Sequence, residues 1–258
     1  MYRITQEMLH KMTQKRLEQL AHMLTRNLTE LYPKRMRTIG KEKTFAFALS
    51  CAQESYALGC TNYGELKAYS FVALQLGVGF ASDPLYPFVH DILKTEDIFA
   101  LKMEKIMQHT LTKLYAGDVA SLQDYHTALT KLLHVDLAQV KTFTTYGEIV
   151  SVLEQVYPQR VKALGGTAHV YDAIKTSTHT KPEAYNIHHP IGVFVYASLV
   201  FFLGHSIDRD PLYAWVGKYL NDPEPRMPHK LDRLVKVIRK RVKNNIRYID
   251  KTVKECTV

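Results

Sequence analysis

The sequence has few of the features that mark an extracellular or membrane-spanning protein. Its three cysteines, Cys51, Cys60 and Cys256, have no metal-binding spacing and cannot all pair within one chain. They indicate free thiols in a reducing compartment, which predicts a cytoplasmic protein. The N-terminus has no apolar signal core. The longest uncharged apolar run, residues 191–204, has 14 residues, fewer than the roughly 20 of a membrane span, and predicts a buried helix.

Motifs that identify common enzyme classes are also missing. The chain has no His-Glu-x-x-His, Cys-x-x-Cys or Gly-x-Ser-x-Gly pattern and no glycine-rich phosphate-binding loop. His90-Asp91 resembles part of the His-Asp signature of metal-dependent phosphohydrolases, but no histidine lies between His22 and His90 to complete it. His188 and His189 are adjacent, so on a helix they would diverge by about 100° and would not share one ion. The sequence therefore predicts a protein that is not an enzyme and has no metal and no cofactor.

Strand signals are almost absent, whereas helical periodicity runs through most of the chain. There is no Asn-Gly hairpin and no sustained alternation of apolar and polar residues. The hydrophobic fraction of 46% and the charged fraction of 23% are typical of a globular protein. The sequence therefore predicts an all-α fold. The helices expected from the periodicity and the breakers cover residues 4–31, 35–57, 63–76, 84–94, 96–116, 190–203 and 230–254.

The strongest pattern is a stretch that occurs twice. Residues 76–93, LGVGFASDPLYPFVHDIL, align with residues 203–220, LGHSIDRDPLYAWVGKYL, with 8 of 18 positions identical. In each copy a glycine, Gly77 or Gly204, predicts the end of a helix. An aspartate before a proline, Asp83 or Asp210, predicts the N-cap and first turn of the next helix.

A second pair of similar blocks lies upstream. Residues 31–40, LYPKRMRTIG, return as residues 156–165, VYPQRVKALG, so the offset between the copies is 125 to 127 residues. Two matching blocks at nearly the same separation predict an internal duplication into two modules of about five helices, packed pseudo-symmetrically. We expect module one over residues 1–117, a connector over 118–128 and module two over 129–258. The apolar helix 190–203 should be central, while its counterpart 63–76 keeps a solvated face.

Most of the net charge lies in the last segment. Residues 224–258 contain 11 Lys or Arg against four Asp or Glu, a balance of +7, so only +2 of the total of +9 remains for the rest of the chain. The expected helix 230–254 has an apolar side formed by Leu231, Leu234, Ile238, Val242, Ile246, Ile249 and Val253. The partner-binding residues predicted on its other sides are Lys236, Arg239, Lys240, Lys243 and Arg247.

Several uses are compatible with a basic amphipathic helix. Its apolar side could complete module two, and its charge would then be an ordinary solvated surface. It could also bind an acidic protein, an anionic membrane surface or nucleic acid. Nucleic acid is less favoured than a protein partner, because no aromatic stacking platform or known reading motif accompanies the charge.

One combination of motifs points to a protein group. A long N-terminal helix is followed by Leu-Tyr-Pro at 31–33, Tyr-Gly at 63–64, Leu-Gly at 76–77, Phe80, and Asp-Pro-Leu-Tyr-Pro at 83–87. This combination resembles bacterial helical proteins whose genes lie near effectors of the type VI secretion system and related contact-dependent toxins. The resemblance implies a non-enzymatic partner of an effector. That partner would be an immunity protein that blocks a toxin sterically, or a chaperone or adaptor that holds an effector for loading.

Overall fold

The computed structural model describes residues 5–114, 119–223 and 226–256. Within these ranges the protein consists of helices and connecting loops without a β-strand, which confirms the predicted all-α class. A 3-10 turn, Phe80–Ser82, precedes α5, and a π-helical turn, Thr110–Leu114, follows α6. The helices of the first half are α1 (Gln6–Leu31), α2 (Pro33–Ile39), α3 (Lys41–Ala57), α4 (Tyr63–Leu76), α5 (Pro87–Leu93) and α6 (Phe99–His109).

The second half begins with a helix that covers most of the expected connector. This helix is α7 (Val119–Leu133), which continues past residue 128 and packs against the C-terminal helix. A 3-10 turn, Pro211–Tyr213, precedes α14. The remaining helices are α8 (Leu137–Val140), α9 (Tyr146–Val156), α10 (Pro158–Ala163), α11 (Thr167–Thr178), α12 (Lys181–Ala184), α13 (Pro190–Leu203), α14 (Ala214–Leu220) and α15 (Met227–Cys256).

Polar side chains determine where several helices begin. Asn62 caps α4, because its side-chain oxygen accepts the backbone N–H of Glu65 at 3.1 Å. Thr145 and Glu148 form a capping box at α9, in which each side chain bonds the backbone N–H of the other residue. These caps pair backbone donors that have no partner inside the helix.

Two helix predictions need correction. The helix predicted over 35–57 is divided into α2 and α3 at Gly40, whose φ of +92° is incompatible with a continuous helix. The helix predicted from residue 84 begins at Pro87, and its N-cap is Tyr86. Asp83 is not the N-cap, because its carboxylate accepts the N–H of Leu85 two residues on and forms a turn before the helix.

The central position predicted for helix 190–203 is confirmed. Ten of the 14 residues of α13 are buried, against seven of 14 in α4, and both helices have the predicted boundaries. The uncharged composition of α13 therefore reflects burial on all sides within the protein. In the described part of the chain, no helix combines the length and the apolar character that crossing a membrane requires.

The ends of α4 and α13 meet at a junction formed by the repeated stretch. Asp83 accepts the backbone N–H of His205 through Oδ2 at 2.8 Å. Asp210 accepts the backbone N–H of Val78 through Oδ2 at 3.1 Å. Both carboxylates are almost completely buried, and each uses its Oδ1 for the N–H two residues further along its own chain segment. Each copy of the repeat therefore bonds the backbone of the other copy.

The two glycines of the repeat allow this close approach. Gly77 and Gly204 end their helices with φ of +93° and +99°. A Cβ on Gly77 would lie 2.8 Å from the carbonyl oxygen of Leu203, and a Cβ on Gly204 would lie 2.8 Å from that of Leu76. The two helix ends can therefore touch only because neither residue has a side chain.

Asp210 gives the junction a pH dependence. Burial raises the pKa of its carboxyl group to about 6, although the N–H groups of Val78 and Leu212 lower it. In the unfolded chain the pKa is about 3.9. Between about pH 4 and pH 6 the folded state therefore binds more protons than the unfolded state. The contribution of this group to stability is fully present below about pH 4 and is lost as the pH rises through 6.

We expect Asp210→Asn to remove this dependence. From about pH 4 to about pH 7, the free energy of unfolding of the wild type should fall relative to that of the variant by about 3 kcal/mol, since one pKa unit corresponds to about 1.36 kcal/mol. Urea denaturation at several pH values measures the difference. Asp136→Asn is the matched control, because Asp136 is exposed and makes the same turn bond outside the junction. If the Asp210→Asn profile runs parallel to that of the wild type, the assigned titration is incorrect.

Candidate binding surface on the C-terminal helix

The register of α15 separates an apolar side from a charged one. The buried residues Leu234, Val242 and Ile249 face the protein body, where α15 contacts α7, α13 and α14. All five predicted partner-binding residues are exposed. At about 100° per residue they fall within an arc of about 100° opposite the buried residues, and they extend over about 16 Å of the helix axis. We call this set the cationic face; it consists of Lys236, Arg239, Lys240, Lys243 and Arg247.

The cationic face has little internal compensation. Lys236 Nζ lies 2.7 Å from Asp232 Oδ2 in an exposed pair one turn apart. The other four members have no ion-pair partner among the described residues. Two other acidic groups near α15 contact different bases: Asp250 contacts His126 at 3.0 Å, and Asp222 contacts Arg233 at 3.1 Å. The surface therefore presents a row of cations available for an anionic partner.

An aromatic pair from α14 lies beside this row, and the sequence did not predict it. Trp215 and Tyr219 line a groove of about 500 Å³ together with Lys218, Lys240, Arg241, Val237 and Asn244. The guanidinium carbon of Arg241 lies 5.2 Å from the centre of the Trp215 ring, in a cation–π contact. The sequence contains a pattern from which this groove could have been predicted. Trp215, Lys218 and Tyr219 are spaced at i, i+3 and i+4, which puts two aromatic rings and a positive charge on one side of a short helix.

A serine, a histidine and an aspartate also come together at the junction. Ser206 Oγ lies 3.2 Å from His205 Nε2, and His205 Nδ1 lies 3.4 Å from Asp83 Oδ2. A catalytic triad requires a hydrogen bond that orients the imidazole and a nucleophile that substrate can reach. Here His205 Nδ1 makes no hydrogen bond, and Ser206 is 4% exposed. These groups belong to the packing of the junction.

Other reactive groups are inaccessible or isolated. Burial raises the pKa of the Cys51 thiol well above its usual value, which suppresses the reactive thiolate. Cys60 is half-buried, and both cysteines are free thiols. Among the side chains that the structure describes, no three of His, Cys, Asp or Glu lie close enough together to hold a metal ion.

The fold and this surface define an all-α protein with a cationic helix exposed along one side. No protein-family model matches the chain, and no curated protein and no solved structure matches it either.

Proposed function

We propose that the protein is a non-enzymatic binding protein whose cationic face docks on an acidic surface of a protein partner. The observation that carries the proposal is the combination of an apolar side that packs on the protein body and four exposed cations that have no ion-pair partner in the described part of the chain. A helix held in this way presents its charges at fixed positions. Charge complementarity of this kind raises association rates and excludes unsuitable partners.

The partner class follows from the resemblance to proteins encoded near type VI secretion effectors. The partner is then a bacterial toxin, and the protein is an immunity protein that covers the toxin's active site. Steric occlusion needs a rigid body and no chemistry of its own, which suits a helical protein with a large buried core and a smaller one between α7 and α15. The alternative role in the same setting is that of a chaperone or adaptor, which binds an effector before secretion.

The same proposal includes an internal duplication into two modules packed pseudo-symmetrically. The reciprocal bonds of Asp83 and Asp210 support it. So does a pair of arginines at the expected offset: Arg35 donates to the carbonyl oxygen of Leu74, and Arg160 donates to that of Phe201. If the two halves of the chain had arisen independently, an arginine-to-carbonyl bond would not be expected at the same relative position in both.

Co-expression with the neighbouring reading frame tests the role. Rescue of growth from the toxicity of that frame's product indicates immunity, whereas improved solubility without rescue indicates a chaperone. If neither occurs and the purified proteins do not bind each other, the proposal fails for that partner and loses the support of the resemblance.

Alanine substitution tests the cationic face. We expect Arg239, Lys240, Lys243 and Arg247 replaced together by alanine to weaken partner binding by about 10- to 100-fold, because each exposed ion pair contributes about 0.2–1 kcal/mol. The variant should also bind with less dependence on salt. Isothermal titration calorimetry at two ionic strengths measures both effects.

A control variant separates local contacts from net charge. Lys34, Arg37, Lys41 and Lys43 are also exposed, and they belong to α2 and α3. Their joint replacement by alanine removes the same four charges and should leave the affinity within about twofold. Equal losses in the two variants would show that the cationic face has no specific role.

Nucleic acid is the second candidate, because Trp215 and Tyr219 adjoin Lys240 and Arg241. Proteins that bind single strands combine such rings with cations. A random DNA duplex or single strand retained at physiological salt, with no protein partner, would favour this function. The affinity should then fall linearly with salt on logarithmic axes, and Trp215→Ala should weaken single-strand binding.

A further inference from the structure

A second cavity lies behind the Trp215–Arg241 pair, between α7, α13 and α15. Its volume is about 220 Å³. Most of its wall is apolar and comes from α7, α13 and α15, with Leu129, Leu132, Phe194, Phe202, Val235 and Ile238 as the main contributors. The cavity is thus larger than the roughly 150 Å³ apolar cavity that accepts benzene in an engineered protein.

Three polar side chains of α15 line this cavity. Arg239, Arg241 and Asn245 line it and are all exposed, so they mark the side that opens to solvent. Successive residues of an α-helix are rotated by about 100°, so Arg239 and Arg241 lie on opposite edges of α15, with Ile238 and Val242 between them. Ser198 on α13 also lines the cavity, but its hydroxyl donates to the carbonyl oxygen of Phe194 at 2.8 Å. Arg239 and Arg241 therefore lie at opposite edges of an apolar interior, and the guanidinium of Arg241 lies over the Trp215 ring.

This arrangement specifies the chemistry of a ligand. Small-molecule sites are concave and mainly apolar, with a few polar groups that fix the orientation. A guanidinium group has the geometry to bind a carboxylate with two parallel hydrogen bonds. We propose that the cavity binds a medium-chain fatty acid, with the alkyl chain against the apolar wall and the carboxylate at Arg239, because the guanidinium of Arg241 is already engaged with the Trp215 ring. The proposal is independent of a protein partner for the cationic face.

The single tryptophan of the chain provides a direct measurement. Trp215 is the only tryptophan, and it lines the cavity. We expect decanoate, added to the full chain, to shift the emission of Trp215 in a saturable way, and a brominated decanoate to quench it. Affinity should rise about fourfold for each methylene added from hexanoate towards decanoate, as expected for burial of apolar surface.

Three variants locate the ligand. Asn245→Phe should block the mouth and weaken decanoate binding at least about tenfold, and Asn245 makes no described hydrogen bond whose loss would disturb the fold. Arg239→Gln should weaken decanoate binding about tenfold but leave binding of decanol unchanged. Lys243→Gln removes the same charge away from the cavity, so its affinity should match the wild type. Thermal unfolding checks that each variant is folded.

Several outcomes would overturn the proposal. Decanoate binding without dependence on chain length, or binding unaffected by Asn245→Phe, would exclude the cavity as the site. Equal affinity for decanoate and for decyltrimethylammonium would exclude recognition of the carboxylate. Saturable binding that appears only with anionic phospholipid vesicles would assign the arginines to a membrane surface. If Asn245→Phe does not fold, the absence of Trp215 quenching by the brominated chain still excludes the cavity as the site, because Trp215 lines it.

Discussion

Alanine in place of Gly77 or Gly204 is expected to destabilise the protein by about 2–6 kcal/mol. Both glycines have a backbone conformation, with φ near +95° and ψ near 160°, that is essentially restricted to glycine and costs other residues about 1–3 kcal/mol. The new Cβ would also lie 2.8 Å from a backbone carbonyl oxygen of the other helix end. Relief of that overlap requires the two helix ends to move apart, at a further cost of about 1–3 kcal/mol.

Two other glycines separate these contributions. Gly40 and Gly166 have φ of +92° and +93°, but a Cβ on either would have no heavy atom within 4 Å. Their replacement by alanine should therefore cost only the backbone strain, about 1–3 kcal/mol. Urea denaturation of the four single variants makes the comparison. Equal losses at all four positions would mean that the close approach of α4 and α13 contributes nothing to stability.

The double variant carries additional information. Both added Cβ atoms would clash where the ends of α4 and α13 meet. If this is a single contact, a separation of the two helix ends that accommodates a Cβ on Gly77 also makes room for one on Gly204. The combined loss in Gly77→Ala with Gly204→Ala should then be smaller than the sum of the single losses. Strict additivity would indicate two separate contacts.

The local features of the chain could be predicted from its sequence. The boundaries of α4 and α13 follow from periodicity and from the glycines that end them, because both signals act within a few residues. The separation of α2 from α3 was missed, since Gly40 can occur within a helix and only its backbone angles show that it ends one. The Asp-Pro motif predicted a cap at Asp83, but the carboxylate is used for a turn and for a contact 122 residues away.

The same contrast between local and long-range features applies to the binding surface. The five cations of α15 could be predicted to be exposed, because helical spacing determines which residues lie opposite an apolar stripe. The groove beside Trp215 and the apolar cavity behind it depend on how α7, α13 and α14 pack around α15. Ile238 and Val242 were therefore predicted as packed core residues, whereas they also line a cavity. Periodicity identifies the apolar side of a helix, but it does not show how completely the neighbouring helices fill the space next to that side.

Asp83→Asn is expected to cost about 2–5 kcal/mol at neutral pH. Both carboxylate oxygens of Asp83 accept backbone N–H groups, from Leu85 at 2.9 Å and from His205 at 2.8 Å, at a side chain that is almost fully buried. An asparagine has one acceptor oxygen, so its amide NH₂ must face one of these donors. One buried backbone N–H then loses its acceptor, and the nearest acceptor for the two amide hydrogens is His205 Nδ1, 3.4 Å from Asp83 Oδ2, so the cost is about 1–3 kcal/mol for each group left unpaired.

Asp136→Asn distinguishes this effect from the loss of a local cap. Asp136 is exposed and accepts only the N–H of Ala138, at 2.8 Å, a bond that an asparagine oxygen can keep. It should therefore cost less than about 0.5 kcal/mol, since asparagine and aspartate cap helices about equally well. The two variants change the same side chain in the same local turn, and the sites differ in burial and in the bond that Asp83 accepts from the N–H of His205. If chemical denaturation shows equal losses, the contacts between the two copies of the repeat do not hold the helix ends together, and the proposed pairing of two modules loses its main support.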